Sequence, residues 1–231
     1  MTERTTDAES LKESAARAAL EFVEDGGRVG LGSGSTVAHF IELIAHRVAS
    51  GDLASCVFIP SSRQTEHVAR SRGLTLDTLD GIPRLDVTID GADEFTDRLE
   101  LIKGLGGALL REKILAGASE RFIVIVDDSK HVDRLGERAP LPVEVLPFAR
   151  SFVSTQVRAL GGRPALRGGA EPFVTDQGNW ILDCEFGPID DPEALAGVLR
   201  EVPGVMEHGL FLGMADAVVV GSPDGVRTLP R

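Results

Sequence analysis

The residues whose types and spacing could do chemistry lie between Asp86 and Leu115. An acidic run, Asp90-Gly91-Ala92-Asp93-Glu94, is followed by Lys103, a glycine-rich turn Gly104-Leu105-Gly106-Gly107, and then Glu112. Taking a proton from a carbon next to a carbonyl needs a positioned base, and a cation or donor where oxygen becomes negative. Glu112 and Lys103 have the types for those two tasks. Around them, Ala108, Leu109, Leu110, Ile114, Leu115, Ala116 and Ala118 cover nearly the whole circumference of a helix predicted over 107–118, so the helix reads as buried. Glu112 stands one turn from Ala108 and one turn from Ala116, which directs it to a cavity or to a partner. The alternative is a solvated Arg111-Glu112-Lys113 cluster, for which this helix has little polar face.

A second constellation is Gly32-Ser33-Gly34-Ser35-Thr36, between a strand over 28–31 and a helix over 37–48. Backbone N–H groups at a helix start, glycines at 32 and 34 and flanking hydroxyls suit an anion. The spacing is not a dinucleotide fingerprint, because Ser35 stands where the last glycine would be, and no Gly-Lys-Ser/Thr of a P-loop occurs. A phosphate monoester is the better guest, and an ordinary strand-to-helix turn with a Ser or Thr cap is the alternative. Lysine is scarce: Lys12, Lys103, Lys113 and Lys130 stand against twenty arginines. A retained lysine marks a place for a compact ammonium on a flexible stem. Lys12 falls in the first turn of a helix predicted from a Ser10 cap to about residue 24, after a frayed polar leader over 1–9. Lys130 follows a strand over 122–126, either on the rim shared with Asp90 and Thr36 or simply as a loop cation.

The elements that must hold these residues alternate strand, loop and helix. Further strands are predicted over 56–59, 74–76 and 87–89, with a helix over 61–71, the mark of a mostly parallel sheet covered on both faces. From Pro140 the order changes to strand 143–146, helix 149–160, strand 163–166, a hairpin of 172–175 with 180–186, helix 192–201 and strand 205–211. That order reads as a split βαβ, ferredoxin-like α+β arrangement with helices on one face of an antiparallel sheet. Residues 217–220 return to the main sheet, with a turn at Pro223-Asp224-Gly225. The expected organisation is a Rossmann-like α/β domain over 1–133 and 206–231, with an inserted smaller domain over 134–205.

Composition bounds the partners. A net charge of −12 without a Lys/Arg cluster argues against nucleic acid. No apolar run approaches a membrane span and the first fifteen residues are not signal-like, so a cytoplasmic protein is expected. Cys56 and Cys184 stand alone, without metal-ligand spacing, and read as core thiols.

These residues together resemble the ribose-5-phosphate isomerase A family. The resemblance rests on Gly32 to Thr36 with Ala38-His39-Phe40, the Asp90–Glu94 run, Lys103-Gly104 through Ala108, Arg111-Glu112-Lys113, Asp128-Ser129-Lys130 and Leu141-Pro142-Val143-Glu144-Val145. It continues through Gly161-Gly162-Arg163-Pro164 and Pro223-Asp224-Gly225-Val226, and so runs from about Leu11 to Thr228. It implies interconversion of D-ribose 5-phosphate and D-ribulose 5-phosphate, the non-oxidative pentose phosphate step, without metal or organic cofactor, in a homodimer or homotetramer. It implies Glu112 as the base moving a proton between C2 and C1, and Asp90 for ring opening and hydroxyl binding. Asp93 and Lys103 would hold the sugar oxygens. Lys12, Ser35, Thr36 and Lys130 would serve the phosphate, with Ser33, Gly34, Gly104 and Gly106 also against the substrate. Leu105 interrupts the longer glycine run usual in the family, which is costly if that position needs φ > 0 and harmless if the side chain points outward. The alternative function is a non-catalytic sugar-phosphate sensor on the same fold. A deaminase would be expected to use a histidine in this region, and none lies between Asp86 and Leu115; a CoA transferase would use its glutamate as a nucleophile.

Overall fold

The computed structural model describes the backbone from residue 2 and the side chains from residue 8. The segment read as a polar leader, 1–9, lies largely outside the described side chains. The elements in order are α1 (Thr2–Ala19), β1 (Arg28–Leu31), α2 (Ser35–Ala49), β2 (Val57–Pro60), α3 (Arg63–Ser71), β3 (Leu85–Asp90), β4 (Glu94–Phe95) and β5 (Leu101–Ile102). There follow α4 (Leu109–Ala118), β6 (Ser119–Asp127), β7 (Leu141–Val145), α5 (Arg150–Ala159), β8 (Arg163–Leu166) and β9 (Trp180–Glu185). The chain ends with α6 (Pro192–Arg200), β10 (Val205–His208), β11 (Leu210–Phe211), β12 (Ala217–Ser222) and β13 (Gly225–Pro230). Because α1 begins at Thr2, Ser10 is inside that helix rather than its cap, and Lys12 is in its middle rather than its first turn. Among the described residues no helix is long and apolar enough to cross a membrane.

The chain divides into two compact units. The first comprises Met1–Ala92, Arg111–Lys130 and Met214–Arg231, and holds a six-stranded sheet in the order β13-β12-β6-β3-β1-β2. All neighbours are parallel except the β12–β13 hairpin at the edge, whose second strand lies past the turn expected at Pro223-Asp224-Gly225. Side chains alternate across the sheet. Val29, Leu31, Val87, Ile89, Ile123, Ile125 and Val219 join Ala15, Ala16, Ala19, Val37 and Phe40 of α1 and α2 in one buried cluster. The three alanines let α1 approach closely: a Cβ at Gly221 of β12 would lie 2.0 Å from the Leu11 carbonyl oxygen. On the opposite face Thr88 Oγ1 meets the Leu115 carbonyl and Ser119 Oγ, which ties the end of α4 to β3. Helices therefore cover both faces. Residues 74–76 form only a single bridge, Phe58↔Leu76, and not the expected strand, because Asp77 Oδ1 accepts from Thr78 N at 2.7 Å and turns the chain away.

The second unit comprises Asp93–Leu110 and His131–Gly213, so 93–110, expected in the first domain, go with the second, as do 131–133 and 206–213. Its four-stranded antiparallel sheet runs β10-β7-β9-β8, and its chain order β7-α5-β8-β9-α6-β10 is the split βαβ arrangement. Val143, Val145, Val153, Val157, Leu182, Cys184, Ala196 and Leu199 build its core. A further three-stranded sheet, β11-β5-β4, is not among the predicted elements. The strand expected over 205–211 breaks at Gly209, where a Cβ would lie 2.2 Å from the Lys103 carbonyl oxygen; past it, β11 pairs with β5 instead of β7. Residues 172–175 form one bridge, Val174↔Trp180, rather than a hairpin strand, since Thr175 is drawn into side-chain bonds with Glu144 and Asn179.

Candidate functional site

In the first unit the strand order reverses at β1, with β2 on one side and β3 on the other. The crevice outside the carboxyl ends of strands at such a point is where open α/β sheets take ligands. β1 delivers Gly32-Ser33-Gly34 there and β3 ends on Asp90. Gly32 N donates to the Ile89 carbonyl at 2.9 Å, and Asp90 Oδ1 accepts from Ser33 N at 3.0 Å and from Gly91 N at 2.7 Å. Only glycine fits at 32, since a Cβ would sit 1.9 Å from Asp90 Oδ1. The Ser33 hydroxyl donates to Glu112 Oε1, so the loop after β1 holds the glutamate of α4. Glu112 and Asp90 are 3 % and 0 % exposed, which removes the reading of Glu112 as part of a solvated surface cluster. Arg111 is turned elsewhere, with Nη2 donating to the Pro60 carbonyl at 2.9 Å.

Gly34 is the N-cap of α2, with φ 99° and no side-chain cap. Gly34 thus offers no side-chain oxygen to the first N–H groups of α2, at exposed Ser35 and buried Thr36, an arrangement that favours an anion. Lys12 pairs with Glu9 at 2.7 Å, and Glu9 also meets His39 Nε2 at 2.9 Å on α2. Lys12, and after it His39, hold the Glu9 carboxyl below its usual range. Lys130 lies in a one-turn helix over Asp128–Lys130 after β6, where Ser129 is held through its N–H and hydroxyl by Asp127.

The loop after β1 is held from behind by residues that sequence reasoning did not single out. Ser62 Oγ caps α3 by accepting from Thr65 N at 3.0 Å and donates to Thr65 Oγ1 at 2.9 Å, and Thr65 Oγ1 donates to the Gly32 carbonyl at 2.8 Å. These hydroxyls form a directed chain ending on the residue before Ser33. The Ser-x-x-Thr spacing reads as a helix cap, and nothing in it points to a partner thirty residues earlier.

The second unit carries Asp93, Lys103, Gly104 and Gly106. Asp93 Oδ2 accepts from Leu105 N at 2.9 Å, and Asp93 N donates to the Ile102 carbonyl at 2.8 Å. Lys103, 2 % exposed, has its N–H on the Gly209 carbonyl and its ammonium 5.3 Å from the Phe211 ring centre, a cation–π distance. Gly104 and Gly107 take φ of 109° and 85°. Leu105 does not have φ > 0, because Leu99 is the one non-glycine residue that does among those described, and its side chain is 43 % exposed. The leucine therefore points outward and is tolerated. The carbonyls of Gly104 and Leu105 each accept from Arg167 Nη1 at 3.0 Å. Glu94, 1 % exposed, is a scaffold residue: it accepts from the N–H groups of Gly136, Arg138 and Ala139 at 2.6, 2.6 and 2.7 Å. The candidate residues thus belong to both units: Lys12, Ser33, Gly34, Ser35, Thr36, Asp90, Glu112 and Lys130 to the first, the other four to the second.

Comparison with known proteins points the same way. Residues 57–225 match the family model for ribose 5-phosphate isomerase A (phosphoriboisomerase A). The chain is 54 % identical over 215 residues to the ribose-5-phosphate isomerase A of Roseiflexus castenholzii, covering 92 % of each. It is 51 % identical over 234 residues to that of Rhodopseudomonas palustris BisB5, covering 97 % of this chain and 99 % of that one. Among solved structures, a D-ribose-5-phosphate isomerase in complex with phospho-erythronic acid superposes with a TM-score of 0.94 at 40 % identity, covering 97 % of this chain and 99 % of the other. The ribose 5-phosphate isomerase A of Methanocaldococcus jannaschii gives a TM-score of 0.91 at 40 % identity, over 96 % and 99 % of the two chains.

Proposed function

We propose how this chain works from the premise that it belongs to the ribose-5-phosphate isomerase A family. It is an aldose–ketose isomerase that interconverts D-ribose 5-phosphate and D-ribulose 5-phosphate, and the sensor reading is not favoured. The observation that carries the residue assignments is the buried Glu112 carboxylate, held by the Ser33 hydroxyl beside Asp90 at the strand-order reversal.

In the open-chain aldose, Glu112 takes the proton from C2. The C–H electron pair becomes the C1–C2 double bond, and the carbonyl pair moves onto O1 to give an enediolate. Returning the proton to C1, while the O2 proton passes to O1, leaves the ketone at C2. A positioned base of this kind contributes about 10²–10⁴-fold. Lys103 meets the developing oxyanion, a contribution of roughly 3 kcal/mol in a dry site. Asp93 orients the sugar hydroxyls, and Asp90 assists ring opening. The phosphate is held by Ser35 and Thr36 at the start of α2, with Lys12 and Lys130 as counter-charges, while Ser33, Gly34, Gly104 and Gly106 line the rest of the substrate. Phosphate binding far from the reacting carbons then supplies orientation. The phospho-erythronic acid complex of a relative supports a phosphorylated sugar-like ligand.

The expected domain roles are a catalytic Rossmann-like part and an inserted part that serves as lid or oligomerisation surface. Fully exposed Phe148 and half-exposed Phe152 of the second unit support a homodimer or homotetramer, which sedimentation would test. The pentose phosphate substrate supports a cytoplasmic protein. The decisive experiment follows ribose 5-phosphate in D₂O by NMR, with wild type beside Glu112→Gln. Deuterium at the exchangeable carbon with ribulose 5-phosphate appearing, both lost in the variant, is expected. Exchange that persists in Glu112→Gln overturns the assignment of the base.

A further inference from the structure

Arg167 has no place in the reaction as described, yet it makes an unusually complete set of bonds. It follows β8, and its side chain is 15 % exposed. Nε donates to Asp183 Oδ2 at 2.9 Å and Nη2 to Asp183 Oδ1 at 2.5 Å, a bidentate pair with the neighbouring strand β9. Nη1 donates to the carbonyls of both Gly104 and Leu105 at 3.0 Å. The guanidinium also lies 5.7 Å from the centre of the Phe173 ring, and that ring stands where a Cβ at Gly107 would be, 2.4 Å from Phe173 Cζ.

The two carbonyls matter because of the peptide groups to which they belong. The Gly104 carbonyl shares its peptide with the Leu105 N–H, which donates to Asp93 Oδ2 at 2.9 Å. That peptide is therefore pinned at both ends, by Arg167 on one side and Asp93 on the other. The Leu105 carbonyl shares its peptide with the Gly106 N–H, and in a trans peptide the two point in opposite directions. Drawing the carbonyl to Arg167 turns the Gly106 N–H away from it. Lys103 immediately precedes this pinned segment. The glycines at 104 and 107 supply the left-handed turns on either side, and the clamp fixes the two peptides between them, where Leu105 needs no positive φ.

We propose that Arg167, oriented by Asp183, is a positioning residue for the isomerisation: it sets the 103–107 loop so that Lys103 and the Gly106 N–H are held for the sugar oxygens as charge develops. The inference rests on the reading of Lys103 as the oxyanion's cation. A lysine could not replace Arg167, since one ammonium cannot present a fork to the carboxylate and two donors to carbonyls at once.

The test measures kcat and KM for ribose 5-phosphate, the inhibition constant of inorganic phosphate, and Tm, in Arg167→Ala, Arg167→Lys and Asp183→Asn. Misplacing reacting groups by about 1 Å costs on the order of 10²-fold. A fall in kcat of about tenfold or more is expected in both Arg167 variants, with phosphate inhibition unchanged because the phosphate loop is not held by Arg167. Millimolar guanidinium chloride should restore part of kcat in Arg167→Ala without raising Tm, which a purely structural role would not produce. A folded Arg167→Lys with wild-type kcat overturns the proposal, and so does a fall in kcat matched by an equal weakening of phosphate inhibition. If Arg167→Ala does not fold, Arg167→Lys and Asp183→Asn decide by the same criteria. Failure of the base assignment is separate, since it shows as deuterium exchange persisting in Glu112→Gln.

Discussion

Gly32→Ala places one methyl group into the crevice. The added Cβ would lie 1.9 Å from Asp90 Oδ1, 2.0 Å from its Cγ and 2.5 Å from its Cβ. Reaching an ordinary contact of roughly 3.5 Å requires a retreat of about 1.5 Å. Asp90 is fully buried, and its Oδ1 holds Ser33 N at 3.0 Å and Gly91 N at 2.7 Å, so a displacement of that size breaks at least one of these bonds. Overpacking costs about 1–3 kcal/mol and a hydrogen bond to a charged group about 1.5–3, which gives an expected destabilisation of about 2.5–6 kcal/mol. That is a large part of the 5–15 kcal/mol typical of a whole domain, roughly. Because Ser33 carries the hydroxyl that holds Glu112, kcat should fall by about 10²-fold in the fraction that folds. Gly51→Ala is the matched control: φ is +91° with nothing within 4 Å, so it should lose about 1–2 kcal/mol for backbone strain alone and keep its kcat. Urea unfolding and steady-state kinetics read both quantities. A Gly32→Ala protein no less stable than Gly51→Ala, with kcat/KM within twofold of wild type, would refute the steric argument.

Thr65→Val keeps the shape and removes the hydroxyl between Ser62 and the Gly32 carbonyl; it should cost about 1–3 kcal/mol and lower kcat several-fold, while Thr65→Ser restores both in the same assays. Glu144 is 1 % exposed in β7, and burial raises its pKa above the ordinary 4.5 despite bonds from Asn179 and Thr175. The folded state then holds this proton to higher pH than the unfolded chain does, so its contribution to stability is intact below the ordinary value and declines as pH rises through the raised one. Urea midpoints measured upward from about pH 4.5 should fall less steeply in Glu144→Gln than in wild type.

Periodicity located the elements that depend on local pattern. The apolar run 122–126 lies in the fully buried part of β6, and Arg163–Leu166 and Pro192–Arg200 lie where turn chemistry and amphipathic spacing set them. It misplaced elements whose fate is decided by distant partners. Val205–Phe211 is apolar enough for one strand, but the approach of Lys103 to Gly209 divides it between two sheets. Chemistry was legible where a residue type is rare for its setting, as with Glu112 on an apolar helix. It was not legible for Thr65, Glu94 or Arg167, whose work is done through backbone groups tens of residues away: such bonds leave no trace in local spacing. Cys56 and Cys184 are both buried and free, and burial pushes the Cys184 thiol up to about 12, as befits core thiols.

The order of strands in the first sheet also has a temporal side. β6 pairs in parallel with β12, but residues 128–216 lie between them in the chain. On a ribosome, β1, β2, β3 and β6 are complete while the partner for the far side of β6 has still to be synthesised. The nascent chain then carries an apolar strand with an unpaired edge, the condition that invites association between copies. Closing so long a loop is slow, although its entropic cost grows only by about 0.6 kcal/mol for each doubling of length. Prior folding of the βαββαβ sheet would shorten the effective loop, so mutations in the core of the inserted unit are expected to slow completion of the six-stranded sheet as well as loosen their own surroundings.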